Sequence, residues 1–212
     1  MHIDHLVIGA ASLEQGQDWL EERLGAPASP GGRHDFMGTH NLLWRLGPQT
    51  YLELLAIDPA AAAPSRPRWF GLDDPAVQAR LKVSPRLIGW GLATDDIARD
   101  SLLSPLGLGP VEAMSRGERR WSLTIPDGPY TEHRALLPFL IQWQGPSPAQ
   151  SLPETGLSLS RLVIETPETA TIETELKALG ARNLVELRET ALGGNKLMAE
   201  LNTPEGAYSL VS

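Results

Sequence analysis

Short apolar segments alternate along the chain with segments whose apolar residues recur every three or four positions. Three times an apolar, strand-like run leads directly into such a helical segment, with starts at Ile3, Leu87 and Leu159. After each helical segment the pattern returns to short strands, separated by turn-forming residues such as those at 47–49 and 204–206. The pattern therefore predicts a βαβββ unit that occurs three times.

Side chains suited to helix capping mark the predicted starts of the three helices. Ser12, Asp95 and Thr166 each precede a helical segment, and their oxygen atoms can accept hydrogen bonds from the first free backbone N–H groups of a helix. The second helix is predicted to continue through Leu102 to Leu106, because these leucines keep the helical spacing.

A Pro-rich segment at residues 144–154 divides the chain. We expect residues 1–145 to form one domain of two units, at about 1–60 and 86–145, and residues 155–212 to form the third unit. An odd number of units leaves strand edges open, so the sequence also predicts a homodimer.

Composition excludes several kinds of partner. The net charge is −8 and no basic run occurs, so we expect neither nucleic acid nor an anionic membrane surface as a partner. No apolar run is long enough to cross a bilayer, and a cytoplasmic protein is the expectation. Cysteine is absent, so a bound metal would need histidine, carboxylate or amide ligands.

Two predicted strands each carry one residue that could bind a metal. His5 lies in the apolar segment at the N-terminus, and Glu53 lies between Leu and Tyr residues in a later one. Such side chains are costly to bury without a partner. The alternative for His5 is a hydrogen bond to Asp4 or to a backbone carbonyl, and the alternative for Glu53 is an ion pair with Arg45 or Arg33.

Further candidates for ligand contacts lie on the predicted strands. His40 and Asn41 stand at a strand entrance and are predicted to contact a substrate, whereas Thr39 between the preceding glycine and His40 is predicted to be structural. Trp44 and Trp143 are predicted to line an apolar ligand-binding wall, with core packing as the alternative.

Four segments add a family resemblance. They read GGRH at residues 31–34, GTHN at 38–41, YLEL at 51–54 and LPFLIQW at 137–143. With the repeated βαβββ unit, they resemble the glyoxalase-like-domain branch of the vicinal oxygen chelate superfamily, which includes glyoxalases, ring-cleaving dioxygenases and fosfomycin-resistance proteins. The resemblance covers about residues 1–145 and implies an α+β fold whose units form a curved mixed sheet, or open barrel. The glycines of the first segment predict a solvated loop that carries His34.

The resemblance also implies a metal site, which this sequence matches only in its first half. In the superfamily each half of the barrel supplies one ligand from its first strand and a Glu from its last. His5 and Glu53 occupy these positions in the first half. In the second half the positions hold Gly89 or Trp90 and, in the last strand, Gln142, a weaker neutral donor.

Three hypotheses for function therefore stay open, all with a small-molecule ligand near His5 and Glu53. The first is a metal-assisted lyase, isomerase or dioxygenase-like enzyme that acts on a small oxygenated metabolite through one divalent ion. The second is a metal-free enzyme in which Glu53 is the base, and His40 and Asn41 orient the substrate. The third is a non-catalytic binding or sequestration protein with a degenerate metal site.

Overall fold

A curled sheet of eight strands lies at the centre of the computed structural model, which describes residues 1–127, 130–191 and 193–212. The strands are β1 (His2–Gly9), β2 (Ser29–His34), β3 (Thr39–Arg45), β4 (Tyr51–Ile57), β5 (Arg86–Ala93), β6 (Val111–Arg116), β7 (Arg119–Thr124) and β8 (Phe139–Trp143). They lie in the order β2-β3-β4-β1-β5-β8-β7-β6.

The sheet consists of two βαβββ units joined edge to edge. Within each unit the first strand pairs in parallel with the last, β1 with β4 and β5 with β8. The units meet where β1 and β5 pair antiparallel. The sheet curls until its edge strands β2 and β6 approach each other, which confirms the predicted α+β open barrel of βαβββ units.

The described residues form five helices: α1 (Leu13–Leu24), α2 (Pro75–Val83), α3 (Ile97–Asp100), α4 (Glu132–Leu136) and α5 (Thr169–Ala178). Short 3-10 turns occur at Trp69–Gly71, Ser101–Leu103, Pro148–Gln150 and Arg182–Leu184. Ser12 caps α1 as predicted, because its hydroxyl accepts from the Gln15 N–H at 3.1 Å. In the other two helices the caps lie further along the chain, at Asp96 and Glu168. None of the helices among the described residues is long and apolar enough to cross a membrane.

The prediction for the second helix was wrong about its length. Helix α3 ends at Asp100 and only a 3-10 turn follows. Leu102 is 85% exposed and Leu106 is 42% exposed, so the leucines that suggested a helical apolar face have no surface to pack against. Pro105 also disfavours a helical conformation at the residue before it.

Strand β2 forms where a loop was predicted. Pro30 and two glycines suggested a loop, but β2 is an edge strand that pairs with β3 and contains an irregularity in register between Pro30 and Arg33. Edge strands tolerate proline and glycine because one side of the strand needs no ladder hydrogen bonds. The strand places His34 at its end, on the inner side of the barrel.

The third unit forms its own sheet beside the barrel. Its strands are β9 (Ser158–Thr166), β10 (Glu186–Glu189), β11 (Lys196–Thr203) and β12 (Gly206–Val211), in the order β10-β9-β11-β12. The predicted βαβββ succession is present, but β9 pairs in parallel with β10 rather than with the last strand. This unit contacts β5 through β11 and β12. Its leucines join the same apolar core as α1.

The main apolar core lies against the outer face of the barrel. Leu20 and Leu24 of α1 pack there with Leu52 and Leu54 of β4, and all four are fully buried. Because side chains alternate along a strand, the same strand β4 turns Tyr51 and Glu53 toward the inside. Helix α1 thus fixes the strand that carries Glu53.

Substitution of Gly16 by alanine tests this contact. A Cβ at Gly16 would collide with the Leu54 side chain and would lie 2.8 Å from the Ala10 Cβ. We expect Gly16→Ala to lower the free energy of unfolding by about 1–3 kcal/mol through overpacking. Asp18→Ala on the exposed face of the same helix should change it by less than about 0.5 kcal/mol. Urea unfolding of both variants measures the difference, and equal effects would contradict the tight α1–β4 contact.

Candidate active site

The inside of the curled sheet holds a small polar chamber, called here the inner chamber. Its polar side is formed by His5, His34, Asn41, Glu53 and Arg116, and its apolar side includes Trp69, Phe70, Leu123 and Phe139. The free volume is about 40 Å³, which is enough for about one water molecule.

Glu53 lies at the centre of this chamber and is 7% exposed. The Asn41 side chain donates to Glu53 Oε1 at 2.5 Å. His5 Nε2 lies 3.5 Å from Glu53 Oε2, and His34 Nε2 lies 3.9 Å from Oε1. The alternative partners are engaged elsewhere, Arg45 with Glu154 and Arg33 with Asp58. Among the described residues, the Asn41 amide is therefore the donor in hydrogen-bond contact with the carboxylate, and the two imidazole rings lie beside it.

A β-bulge gives His5 a carboxylate partner. Between Ile3 and His5 two residues of β1 face one step of β5, so Asp4 and His5 reach the same region although they are adjacent. The buried Asp4 carboxylate lies 2.6 Å from His5 Nδ1 and also accepts from Trp143 Nε1 at 3.0 Å. Because an ionised carboxylate accepts a hydrogen bond, Nδ1 is assigned the proton and Nε2 is presented to Glu53.

Asn41 connects Glu53 to a cation. Its amide oxygen accepts from the Gly32 N–H at 2.7 Å and from Arg116 Nη1 at 3.2 Å, while its NH₂ group donates to Glu53. Arg116 lies directly over Gly32, where a Cβ would come within 2.7 Å of the Arg116 Cδ. Among the described residues no carboxylate lies within ion-pairing distance of Arg116. Arg116 thus spans the gap between β2 and β6 and brings a positive charge to the chamber.

His34 is neutral at physiological pH. Its side chain is 7% exposed, and burial lowers its pKa to about 4, an effect that Glu53 opposes and Arg116 reinforces. Nδ1 lies 3.1 Å from the Thr39 hydroxyl, and Nε2 lies 3.4 Å from Arg116 Nη1. The Arg116 donor makes Nε2 the unprotonated nitrogen of the ring.

An aromatic wall closes the chamber on the side of the second unit. The Phe139 ring occupies the space over Gly91, where a Cβ would lie 2.7 Å from the ring, and the Phe70 ring lies similarly over Gly89. Phe70 adopts a φ of 56°, the one non-glycine residue with positive φ in the described ranges. Left-handed conformations are strained for aromatic residues. The Trp69 indole N–H is buried and has no hydrogen-bond partner among the described residues.

These residues do not fit a divalent metal ion. Within the described part of the chain no group of three or more His, Asp or Glu side chains is arranged to hold one. The second unit places Gly91 and Phe139 against His5, so it offers an apolar ring where a ligand would be needed. A cation, Arg116, already borders the cluster, and a second positive charge beside it would be repelled.

Several predicted site residues lie elsewhere. Gln142 points out of the barrel, where its amide binds the Ile97 N–H at 3.1 Å and the Asp95 carbonyl at 2.7 Å, so it cannot join His5 and Glu53. Trp44 is fully buried in the outer core and donates to the Ala26 carbonyl. Both residues were predicted to face the site, and both predictions were wrong, because side chains alternate along β8 and β3 and these two point outward.

The same alternation contradicts one of the roles predicted on β3. Asn41 faces the chamber as expected, but His40 points away from it, toward Arg33 and Asp58. Thr39, predicted to be structural, is buried and lies 3.1 Å from His34 Nδ1, so it supports a chamber residue without lining the chamber. Trp143 lines the chamber and contributes its hydrogen bond to Asp4.

Sequence reasoning missed His34 and Arg116 as chamber residues. His34 follows residues typical of a loop, and Arg116 is 82 positions further along the chain from it. One signal was available for Arg116, since glycine at position 32 marks a close approach.

The sequence model of the glyoxalase-like domain matches residues 3–180, which is most of the chain. The chain belongs to this family. It is thereby a member of the vicinal oxygen chelate superfamily, as the resemblance implied. Among curated protein sequences, none is significantly similar to the chain.

Among the solved structures that are similar to the chain, one with a TM-score above 0.5 supports the fold. A hypothetical protein from Staphylococcus aureus has a TM-score of 0.59 at 17% identity, over 99% of this chain and 84% of the other. A Streptomyces coelicolor methylmalonyl-CoA epimerase variant, in complex with 2-nitronate-propionyl-CoA, has a TM-score of 0.45 at 18% identity, over 68% and 99%. A 4-hydroxymandelate synthase mutant from the same organism has a TM-score of 0.45 at 16% identity, over 99% and 62%. At 17% identity the similarity to the Staphylococcus aureus structure concerns the fold alone.

The low pKa of His34 predicts a pH dependence of stability. The unfolded chain, with a histidine pKa near 6.5, binds this proton more readily than the folded protein, whose His34 pKa is about 4. Stability should therefore fall as the pH drops from 6.5 to 4, by about 3 kcal/mol from this residue. His34→Gln should flatten the dependence in this window in urea unfolding at several pH values.

The control is His2→Gln, which alters a half-buried histidine outside the chamber. It should keep the wild-type pH dependence. An unchanged slope in His34→Gln would show that His34 is not buried in its neutral form.

Proposed function

We propose that this glyoxalase-like protein binds a small oxygenated metabolite at the inner chamber and transfers a proton from it to Glu53, without a divalent ion. The observation that supports this most strongly is the buried Glu53 carboxylate, with Oε1 held by Asn41 and Oε2 directed toward His5. A carboxylate fixed in this way is suited to act as a general base.

In the proposed reaction a C–H bond next to a substrate carbonyl breaks. The proton goes to Glu53 Oε2, and the electron pair moves to the carbonyl oxygen to form an enolate. His5 Nε2, at 3.5 Å from Oε2, is placed to exchange that proton with Glu53, because Asp4 holds the ring from the other side. Return of the proton to the substrate would complete an isomerisation or exchange.

Arg116 is the group suited to stabilise the enolate. It has no carboxylate partner among the described residues, and Asn41 and Gly32 fix its position across the barrel edge. A fixed positive charge in a poorly hydrated site stabilises developing negative charge effectively. In this proposal Arg116 takes the electrostatic role that the family resemblance assigned to a metal, and Asn41 keeps the predicted orienting role.

Deuterium exchange tests the proposed proton transfer. Pyruvate and dihydroxyacetone, which carry C–H groups next to a carbonyl, are incubated in D₂O with the protein and followed by proton NMR. We expect exchange catalysed by the wild type, a loss of about 100-fold or more in Glu53→Gln, and a smaller loss in His5→Asn. His40→Gln is the matched control, since His40 points away from the chamber, and should exchange at the wild-type rate.

The metal content of the protein provides a separate prediction. Protein purified without a histidine tag or chelator should contain less than about 0.1 equivalent of divalent metal, because the donor set is incomplete. Elemental analysis by mass spectrometry measures this. One equivalent of metal that disappears in His5→Ala would favour the metal-assisted hypothesis instead.

The chamber volume supports a second candidate, a non-catalytic binding protein. A free volume of about 40 Å³ admits a ligand only if the aromatic wall moves. Such a wall can enclose a tightly bound ligand as well as a substrate that is turned over. Ligand-dependent quenching of tryptophan fluorescence, with equal deuterium exchange in wild type and Glu53→Gln, would favour this candidate. A cytoplasmic location and a homodimer stay predictions, the latter measurable as a solution mass by light scattering.

A further inference from the structure

A much larger cavity adjoins the inner chamber and is called here the outer cavity. Its volume is about 660 Å³, within the range of sites for metabolite-sized ligands. Apolar side chains form most of its lining, among them Leu108, Ile125, Leu137 and Pro138. Such a cavity is suited to the apolar body of a ligand.

The outer cavity shares its inner wall with the chamber. Trp69, Phe70, Leu123 and Phe139 line both spaces. A ligand that fills the outer cavity therefore lies against the wall behind which Glu53 is found.

Most charged groups around the outer cavity are already paired. Arg66 pairs with Asp127 and Glu112, and Arg68 pairs with Asp73. The Asp74 carboxylate caps α2 by accepting from the Ala76 N–H. These groups have little remaining capacity for a ligand charge.

Arg134 is the exception. It donates to the Gly107 carbonyl at 2.7 Å, and among the described residues no carboxylate lies within 4 Å of its guanidinium. Burial lowers its pKa, although an arginine remains charged. A partly desolvated cation beside apolar walls favours an anionic partner with planar oxygens, for which the guanidinium geometry is suited.

We propose that the outer cavity binds an amphipathic carboxylic acid, with its carboxylate on Arg134 and its apolar body along the wall of Trp69, Phe70 and Phe139. This inference deepens the proposed function, because it names the substrate class of the adjoining chamber. The assignment of this acid as a substrate rests on the proposed function. The binding itself requires no chemistry at Glu53.

Paired ligands test the assignment by isothermal titration calorimetry. Decanoate and 1-decanol share an apolar chain and differ in charge. We expect the wild type to bind decanoate about tenfold more tightly than decanol. Arg134→Met should remove this preference and leave decanol affinity unchanged, and Arg134→Lys should retain part of it. Arg120→Met, which removes an exposed arginine outside the cavity, should keep the full preference.

Tryptophan fluorescence locates the ligand. Decanoate should change the emission of the wild type, and the change should be largely lost in Trp69→Phe. Equal affinities for the two ligands, no binding of either, or an undiminished preference in folded Arg134→Met would overturn the proposal. Since decanoate binding is read without turnover, a negative deuterium-exchange result would overturn the proposed reaction and leave this assignment intact.

Discussion

The buried Glu53 carboxylate needs hydrogen-bond donors, and this need determines how the inside of the barrel is arranged. Glu53 is placed inside by the packing of its strand neighbours Leu52 and Leu54 on α1, so it cannot turn outward without breaking the main core. Its oxygens must then find donors within the barrel. Asn41 supplies the close donor. Because the Asn41 amide oxygen accepts from Arg116, this hydrogen-bond chain reaches the opposite edge of the sheet. The same interaction thus organises the site and holds together the two edges of the barrel.

The two βαβββ units have taken on different tasks within one fold. The first unit supplies the polar groups of the chamber other than Arg116. The second unit and the segment that joins the two units supply mainly aromatic rings, of which Phe139 fills the room left by Gly91 and Phe70 the room left by Gly89. In a symmetric metal site both units would contribute ligands. Here the asymmetry creates a chamber with one polar side and one apolar side, which is suited to a ligand with the same division.

The fold and the pairing of His5 with Glu53 could be inferred from sequence, because both depend on local patterns. Apolar periodicity identifies the units, and a polar residue in an apolar strand is conspicuous. The facing of β3 depends on its register with β4, where Leu43 pairs with Glu53. A shift of one residue exchanges the two faces, which is why the sequence alone placed His40 on the wrong face of the strand. Arg116 depends on the closure of the sheet, a property of the whole barrel that no local pattern contains.

The left-handed conformation of Phe70 has a consequence for motion. An aromatic residue held at positive φ stores about 1–2 kcal/mol of backbone strain. That energy is released when the residue returns to an ordinary conformation. Displacing the ring from its place over Gly89 costs less than its contacts alone would suggest. Movement of the Phe70 ring would connect the two cavities, because the ring lines both of them.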